Sequence, residues 1–432
     1  MKKTAVLYLV LKGILLICPQ SHGQSITGSM TLGMTGAGAY SIVERSNLLR
    51  YNNNRYIGHV LTEVRANMLP SQTRENQGSS SVFFNGSFFV MQNTLRDMQH
   101  AAQAVDKMVP VSFEVLNNGA IIMEEDRGFP RMRDFPVFPD EPVMPGSRWT
   151  APGSYATDPF NTGHFVIIPF IAEYEYRGIE MYRDMWVHRI AASYASRYRK
   201  ELPEENENLD PALQRFIDSQ RQGSDRSDIP REHDILSVQG SHRVDILIRV
   251  EDGLLLFMQD NLNVTYTMAD NSTVRLQGFI LTFGQPIVPM DRVELITSLE
   301  EITAPDFEGF GFDVEPILEG IRLTIRDIRF VPDSAEFLPE ETYRLDLIAK
   351  ALMQIPDRTF LVEGHTASVG NPQGEMTLSI ERARRMTDEL IRRGISADRF
   401  IYNGWGGTRP IADNVNEAGR SQNRRVEITI LE

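Results

Sequence analysis

Histidine, carboxylate and arginine side chains are the groups of this chain that could bind a metal, transfer protons or hold an anion. The eight histidines are scattered along the sequence without the spacing of metal ligands. No His-Glu-x-x-His string, no Gly-x-Ser-x-Gly string and no cysteine–histidine pair is present. Acidic residues are plentiful, so two carboxylates that cleave a glycan in the N-terminal region remain an alternative. We expect a protein that is not an enzyme and that uses no cofactor and no metal.

Arginines form three clusters near the C-terminus, at residues 382–385, 392–393 and 424–425. A guanidinium can hold a carboxylate through two parallel hydrogen bonds, but clustered arginines also solvate the faces of helices and strands. We interpret the clusters as solvated faces, with Arg382 as the exception.

Strand and helix patterns alternate around these arginines from about residue 320 onward. Pro339 fits the first turn of one helix, and Gly394 fits the end of the next. The predicted elements are a strand over Ile321–Phe330, a helix containing Leu345 to Leu352, a strand over Phe360–His365, a helix over Leu378–Arg393, and strands over Arg399–Asn403 and Arg425–Leu431. This order predicts an α/β sandwich (βαβαβ).

Four strings in this region resemble the OmpA-like domain shared by OmpA, the peptidoglycan-associated lipoprotein and the stator protein MotB. They are VEGHTASVG (362–370), LSIERA (378–383), GWGGTRPIADN (404–414) and GRSQNRRVEITI (419–430). The resemblance covers about 110 residues, which we assign to an OmpA-like domain over 320–432, and the GHTA pattern is similar to the spirochaetal branch of the family. It implies that the domain grips the stem peptide of peptidoglycan without covalent chemistry.

The resemblance also assigns ligand-binding positions. The family places an Asp directly after Gly-His-Thr and an Arg in Leu-Ser-x-x-Arg-Ala, which suits the ammonium and carboxylate that diaminopimelate carries on one carbon. The Arg position is Arg382, but the Asp position is Ala367, and Glu375 stands where the family usually has Asn. Thr366 and Arg424 complete the expected site, the latter as a residue that touches a glycan or, alternatively, ties the C-terminal loop to the sheet.

The change at Ala367 leaves three readings open. Loss of one charge-assisted hydrogen bond costs roughly 1.5–3 kcal/mol, or about ten- to a hundred-fold in affinity, so diaminopimelate binding is expected to be weak or lost. In the first reading the pocket is degenerate and the domain serves as a structural or protein-binding module. Alternatively, Glu375 replaces the missing carboxylate and the domain binds ordinary stem peptide or one carrying ornithine, which lacks the second carboxylate. In the third reading Arg382 forms a local salt bridge and the pocket is empty.

The first three quarters of the chain predict a β-rich region within a multidomain protein. Alternating stretches predict a strand-rich region over 24–160, and a β-sandwich-like domain over 161–298 with a charged insertion at 199–234. The prolines of Arg127–Pro159 predict an ordered surface connection, and 299–319 predicts an acidic linker. The alternative is an outer-membrane barrel with a periplasmic OmpA-like tail, although the prolines and the insertion disturb its strand ladder.

The N-terminus predicts export. Two lysines, an apolar stretch and small residues before Gln24 are typical of a signal peptide over 1–23, and Cys18 inside it offers an alternative lipidation site. The net charge of −14 disfavours nucleic acid as a partner. We therefore expect a non-catalytic organising protein of the periplasm. Association with the outer membrane is the alternative, and any membrane association is expected to be peripheral. Its partners are peptidoglycan, bound weakly, or other envelope proteins; a true peptidoglycan anchor with a re-tuned pocket is the alternative function.

Overall fold

The computed structural model describes residues 30–33, 38–76, 79–94, 102–159, 164–200, 234–303, 312–326, 328–331, 334–355 and 357–432. The predicted signal peptide over 1–23, Cys18 and almost all of the charged insertion at 199–234 lie outside the described residues.

Most of the described strands before residue 290 are long and antiparallel, and β4, β6 and β7 are short. They are β1 (Tyr40–Asn52), β2 (Arg55–Asn76), β3 (Ser79–Thr94), β4 (Gln103–Ala104), β5 (Lys107–Leu116), β6 (Ile121–Met123), β7 (Met132–Arg133), β8 (Arg148–Thr157), β9 (Val166–Tyr182), β10 (Met185–Arg199), β11 (Ile235–Arg249), β12 (Leu255–Met268) and β13 (Thr273–Pro286). All of them except β4 form one twelve-stranded sheet in the order β6-β5-β3-β2-β1-β13-β12-β11-β10-β9-β8-β7.

This sheet differs from the expected division at residue 160. β1 pairs with β13 along its whole length, from Tyr40 opposite Pro286 to Asn52 opposite Val274. The regions 24–160 and 161–298 therefore share one sheet and do not make a separate sandwich. Period-two alternation shows which face of a strand is buried, but it does not show which strands pair, and this is why the sequence did not reveal the shared sheet.

The sheet curls until it nearly closes on itself. Phe84 of β3 and Val187 of β10 belong to one apolar core although five strands separate β3 from β10 in the sheet. The proline-containing segment 124–147 runs between the two edges and buries Phe129, Phe135 and Phe138. The expected surface connection over Arg127–Pro159 is therefore corrected: its first part packs into the core and its second part is β8.

The remaining elements form a C-terminal unit. Its helices are α1 (Arg292–Thr303), α2 (Thr342–Met353), α3 (Pro372–Arg392) and α4 (Glu417–Asn423), and its strands are β14 (Phe312–Ile317), β15 (Gly320–Arg326), β16 (Phe360–Gly364), β17 (Phe400–Gly404) and β18 (Arg425–Leu431). The sheet order is β14-β15-β18-β16-β17-β4, and Met386 and Leu390 of α3 pack with Phe360 and Ile428 in its core. β14 pairs with β15, so the expected linker over 299–319 contributes a strand to this sheet.

The two units are joined by more than chain connectivity. β4, which lies between β3 and β5 in the chain, adds to the C-terminal sheet by pairing Gln103 with Ile401 in parallel with β17. An apolar cluster with members from both units, including Phe89, Met91, Leu361 and Ile401, covers the junction. Among the described residues, no helix has the length and apolar character needed to cross a bilayer.

Candidate functional site

One cleft of about 680 Å³ in the C-terminal unit brings together the residues that the sequence singled out. It lies between the loop after β16 and the first three turns of α3, with the end of α4 at its rim. The five predicted residues that line it are Thr366, Ala367, Glu375, Arg382 and Arg424.

The cleft exists because β16 and α3 touch at the backbone. A Cβ on Gly364 would lie 2.1 Å from the carbonyl oxygen of Ser379, so only glycine permits this approach. The loop then turns into α3, whose N-cap is Asn371; its side chain accepts a hydrogen bond from the backbone N–H of Gly374 at 3.2 Å. Pro372 follows in the first turn, as such helix starts favour.

Glu375 is buried in the wall of the cleft and supports the loop. Its Oε1 accepts hydrogen bonds from the backbone N–H groups of Val369, at 2.6 Å, and Asn371, at 3.2 Å. Its position in the first turn of α3 also places the negative charge where a helix favours it. Glu375 thus supplies a fixed carboxylate to the cleft, and one of its oxygens is occupied by the loop.

Arg382 lies two turns further along α3, roughly 10 Å from Glu375 along the helix axis. Its guanidinium carbon sits 4.6 Å from the centre of the Phe330 ring, and its Nε donates to the carbonyl oxygen of Ser334 at 3.4 Å. The residue is only 9% exposed. Packing against Phe330 therefore holds the charge in one place.

Thr366 and Ala367 form the opposite wall. The backbone N–H of Thr366 donates to the carbonyl of Gly406 at 2.9 Å, which ties the Gly-His-Thr turn to the Gly-Trp-Gly-Gly segment. The Thr366 hydroxyl is buried and, among the described residues, has no hydrogen-bond partner. Ala367 is also buried and offers only a methyl group. At these two positions the wall therefore presents no anion for an ammonium.

Arg424 stands at the rim, where it is partly exposed. Its guanidinium donates to Glu417 at 2.5 Å within α4. Hydrogen bonds from Arg424 and then from Arg420 lower the pKa of the Glu417 carboxyl. This ion pair ties the loop around α4 together and engages the Arg424 guanidinium.

Glu381, Gln373 and Thr377 also line the cleft, although the sequence analysis did not name them. They follow one another at four-residue spacing on α3, the spacing that puts side chains on one face of a helix. The helical period around Arg382 was the signal that could have identified them. With Glu381 and Glu375 against Arg382 and Arg424, the cleft carries both signs of charge.

Behind the cleft, a buried polar cluster supports the Gly-His-Thr turn. Glu363 of β16 and Glu427 of β18 lie opposite each other in neighbouring antiparallel strands. Burial raises the pKa of Glu363, whose carboxylate accepts a hydrogen bond from the Trp405 indole at 2.5 Å. Burial also acts to raise the pKa of Glu427, but His365 together with Arg425 and Arg322 outweighs it and lowers that pKa to about 2.

His365 itself is almost fully buried, and its Nε2 lies 3.6 Å from Glu427. Burial lowers the pKa of His365, so the ring is neutral at neutral pH. Within the part of the chain that the structure describes, no group of three His, Cys, Asp or Glu residues is arranged to hold a metal ion.

Comparisons with known proteins agree on the region around the cleft. The model of the OmpA family matches residues 329–424. The chain is 34% identical over 115 residues to outer membrane porin F of Pseudomonas fluorescens, which covers 27% of this chain and 35% of the porin. It is 35% identical over 103 residues to the peptidoglycan-binding protein ArfA of Mycobacterium tuberculosis, covering 24% of this chain and 32% of ArfA.

Among solved structures, the cell wall anchor of the T6SS from Pseudomonas aeruginosa shares 33% sequence identity. The match covers 31% of this chain and 96% of that one, with a TM-score of 0.28. This chain thus spans about a third of the length of porin F and of ArfA.

Proposed function

Residues 329–424 are an OmpA family domain, and from this premise we propose that the protein is an exported, non-catalytic component of the cell envelope that attaches weakly to peptidoglycan. The proposed contact is the carboxylate of a stem peptide with Arg382. The observation that carries the proposal is the shared cleft, which Arg382, packed on Phe330, lines together with Thr366 and Ala367. A relative of this region, ArfA, is named as a peptidoglycan-binding protein, which supports the proposal.

Ala367 sets the expected strength of this binding. An ammonium next to the ligand carboxylate would meet the methyl group of Ala367. Glu375 lies about two helical turns from Arg382 along α3, and its carboxylate accepts hydrogen bonds from the loop. A stem residue that presents a carboxylate without a neighbouring ammonium suits this site better than the full zwitterion of diaminopimelate. The proposed pocket is thus a re-tuned form of the family's pocket, on a unit whose order β15-α2-β16-α3-β17-α4-β18 extends the predicted βαβαβ pattern by a helix and a strand.

An organising module without ligand is the second candidate function. It is favoured by β4, since a strand from the N-terminal region completes the sheet of the C-terminal unit and fixes the two units together. An outer-membrane barrel is less well supported. The outward face of the large sheet exposes Glu173, Arg197 and Arg243, whereas a lipid-facing surface is apolar.

Binding of the full chain to purified peptidoglycan tests the proposal. Diaminopimelate-type and ornithine-type sacculi are compared, with Arg382→Ala, Ala367→Asp and the natural sequence alongside. We expect Arg382→Ala to weaken binding by about ten- to a hundred-fold, the equivalent of one charge-assisted hydrogen bond. Ala367→Asp should raise affinity for the diaminopimelate type by a similar factor.

Arg384→Ala is the matched control, because Arg384 lies on the same helix with its side chain 44% exposed. It should bind like the natural chain. If the natural chain and Arg382→Ala bind equally, the cleft is not the attachment site. If neither sacculus is bound until Ala367→Asp is introduced, the organising module is the correct function.

A further inference from the structure

The hairpin turn between β1 and β2 differs in charge from the rest of this acidic chain. The chain has 58 Asp and Glu residues against 44 Lys and Arg residues, yet residues 46–62 contain no carboxylate. The same stretch contains Arg50, Arg55 and His59. We call residues 50–59 the β1–β2 tip. A local excess of positive charge in a chain of net negative charge favours contact with an anionic partner at that place.

The neighbouring turn between β12 and β13 adds to this charge. β13 begins at Thr273 beside the β1–β2 tip, and Arg275 lies opposite Tyr51 in the register. Residues 273–280 contain no carboxylate, and residues 269–272 contain one, Asp270. Around the two turns, arginines therefore outnumber carboxylates three to one.

Hydrogen bonds and turn geometry fix the shape of the β1–β2 tip. Asn53 and Asn54, the two residues of the turn, both have positive φ, 48° and 64°, as in the two-residue turns that match the twist of a hairpin. The Asn53 N–H donates to the Thr273 carbonyl at 2.8 Å, and the Thr273 N–H donates to Asn53 Oδ1 at 2.8 Å. The two turns thus form one edge of the sheet, and a partner that binds there has little to order.

An aromatic ring holds one of the arginines. The guanidinium carbon of Arg275 lies 4.1 Å from the centre of the Tyr51 ring, and the Tyr56 ring packs edge-on against Tyr51 with the ring centres 5.6 Å apart. A guanidinium stacked on an aromatic face still presents donors at its rim to phosphate oxygens. The tip therefore combines a positioned cation with a tyrosine pair.

Apolar side chains stand beside these cations. Tyr56 is 52% exposed and Ile57 is 55% exposed, and Arg55 before them is exposed as well. At a bilayer interface, a tyrosine ring lies at the level of the head groups and an aliphatic side chain enters the acyl boundary. Cations next to exposed apolar side chains suit an anionic lipid surface better than a soluble anion, which offers nothing to the apolar groups.

The β9–β10 turn lies at the opposite end of the sheet, because successive hairpin turns of an antiparallel sheet alternate between its two ends. Met181 and Trp186 at that turn are each 54% exposed, about as much as Tyr56 and Ile57. The segment around Arg183 also contains Glu180 and Asp184, so carboxylates outnumber arginines there. Both ends expose apolar side chains, and the difference in charge selects the β1–β2 tip for an anionic surface.

We propose that the β1–β2 tip binds an anionic phospholipid surface, with Arg55 and Arg275 on lipid phosphates and Tyr56 and Ile57 at the acyl boundary. Each arginine close to such a surface contributes about fivefold in affinity. Salt screens charges beyond about 8 Å, so the acidic remainder of the chain repels the surface only weakly. The inference does not depend on peptidoglycan binding, since the tip belongs to the other unit.

Sedimentation of the full chain with vesicles tests the proposal. Vesicles of phosphatidylcholine alone are compared with vesicles of equal parts phosphatidylcholine and phosphatidylglycerol. The natural chain should bind the anionic vesicles at least about fivefold more tightly, and 0.5 M salt should remove the difference. Equal binding to both vesicles at low salt, or binding to neither, overturns the proposal. Soluble glycerol phosphate should not compete; if it does at an equal phosphate concentration, the site takes a free phosphate and the proposal is wrong.

Variants at the two ends of the sheet locate the contact. Arg55→Glu should weaken binding to the anionic vesicles by about tenfold or more, because it removes one cation and adds a repelled anion. Ile57→Ser should weaken binding to a smaller extent. Arg183→Glu is the matched control, since it makes the same change in the exposed β9–β10 turn, and it should bind like the natural chain. Unchanged far-ultraviolet circular dichroism shows that each variant is folded. If Arg183→Glu or Trp186→Ser weakens binding and folded Arg55→Glu does not, the opposite end meets the lipid and the proposal falls.

Discussion

The C-terminal cleft and the N-terminal cavity handle charge in opposite ways. The cleft is open to solvent and balances Arg382 and Arg424 against Glu375 and Glu381, all set on helices or a loop. The N-terminal cavity lies inside the twelve-stranded sheet, where the Asp260 carboxylate is buried beside apolar side chains with His242 as its partner. Because water screens the exposed Arg424–Glu417 pair at the rim of the cleft but not the buried His242–Asp260 pair, the same type of contact has a larger energetic weight in the N-terminal sheet.

His242→Ala is expected to have the largest effect on stability, because it leaves the Asp260 carboxylate buried without its partner. Breaking a buried pair in this way costs about 3–5 kcal/mol. Urea denaturation followed by circular dichroism measures the loss. The double variant His242→Ala/Asp260→Ala should recover part of it, since the unpaired charge is then gone. A loss below about 1 kcal/mol, the usual value for an exposed pair, would place this pair in water.

The second largest effect on stability is expected from a change of pH, which acts on the C-terminal unit. The pKa of Glu427 is about 2 in the folded chain, below its ordinary value of 4.5, so its contribution is present above about pH 4.5 and is lost as the pH falls toward 2. The difference corresponds to about 3 kcal/mol. Burial raises the pKa of Glu363, so this carboxyl has the opposite effect on the pH dependence of stability. It becomes protonated as the pH falls, and the neutral form is less costly to bury.

Urea midpoints measured between pH 2 and pH 6 check this. The natural chain should lose stability over that range, and Glu363→Gln should lose it more steeply, because the opposing carboxyl is removed. A natural chain whose midpoint stays level from pH 5 to pH 2.5 would show that Glu427 is not held by His365 and the arginines.

The smallest effect is expected at the rim of the cleft. Glu417→Gln removes the partner of Arg424 and Arg420, and exposed pairs of this kind contribute 0 to about 1 kcal/mol. The midpoint temperature of thermal denaturation should barely change, and in 0.5 M salt it should equal that of the natural chain. A larger, salt-resistant loss would mean that this pair is shielded from solvent, and the contrast between cleft and cavity would weaken.

The sequence predicted the two regions to different depths. The C-terminal elements followed from local periodicity, and the cleft residues followed from the resemblance of four short strings to the OmpA-like domain, although the predicted helix began at Leu378 and the observed one begins at Pro372. The N-terminal sheet required the partner of every strand, and local alternation does not contain that information. Ser196, His242 and Asp260 meet only through the registers of three strands, at separations of 46 and 18 residues, so no short motif could reveal them.

Glu375 shows a further limit. Its residue type suggested a replacement for the carboxylate absent at Ala367, but its hydrogen bonds to Val369 and Asn371 depend on the turn before α3, which residue identity alone does not specify. The predicted helix began at Leu378, so neither the place of Glu375 in the first turn of α3 nor the loop contacts of its carboxylate followed from the sequence.

The two-residue strand β4 has a mechanical consequence. It lies between β3 and β5 in the chain and is bonded sideways to β17, and Val105 beside it donates to the carbonyl of Tyr402 at 2.7 Å. A force applied to the C-terminal unit would thus reach the large sheet through strand contacts as well as through the connecting chain. Separating the two units requires that the β4–β17 hydrogen bonds be broken in addition to stretching the chain that joins them.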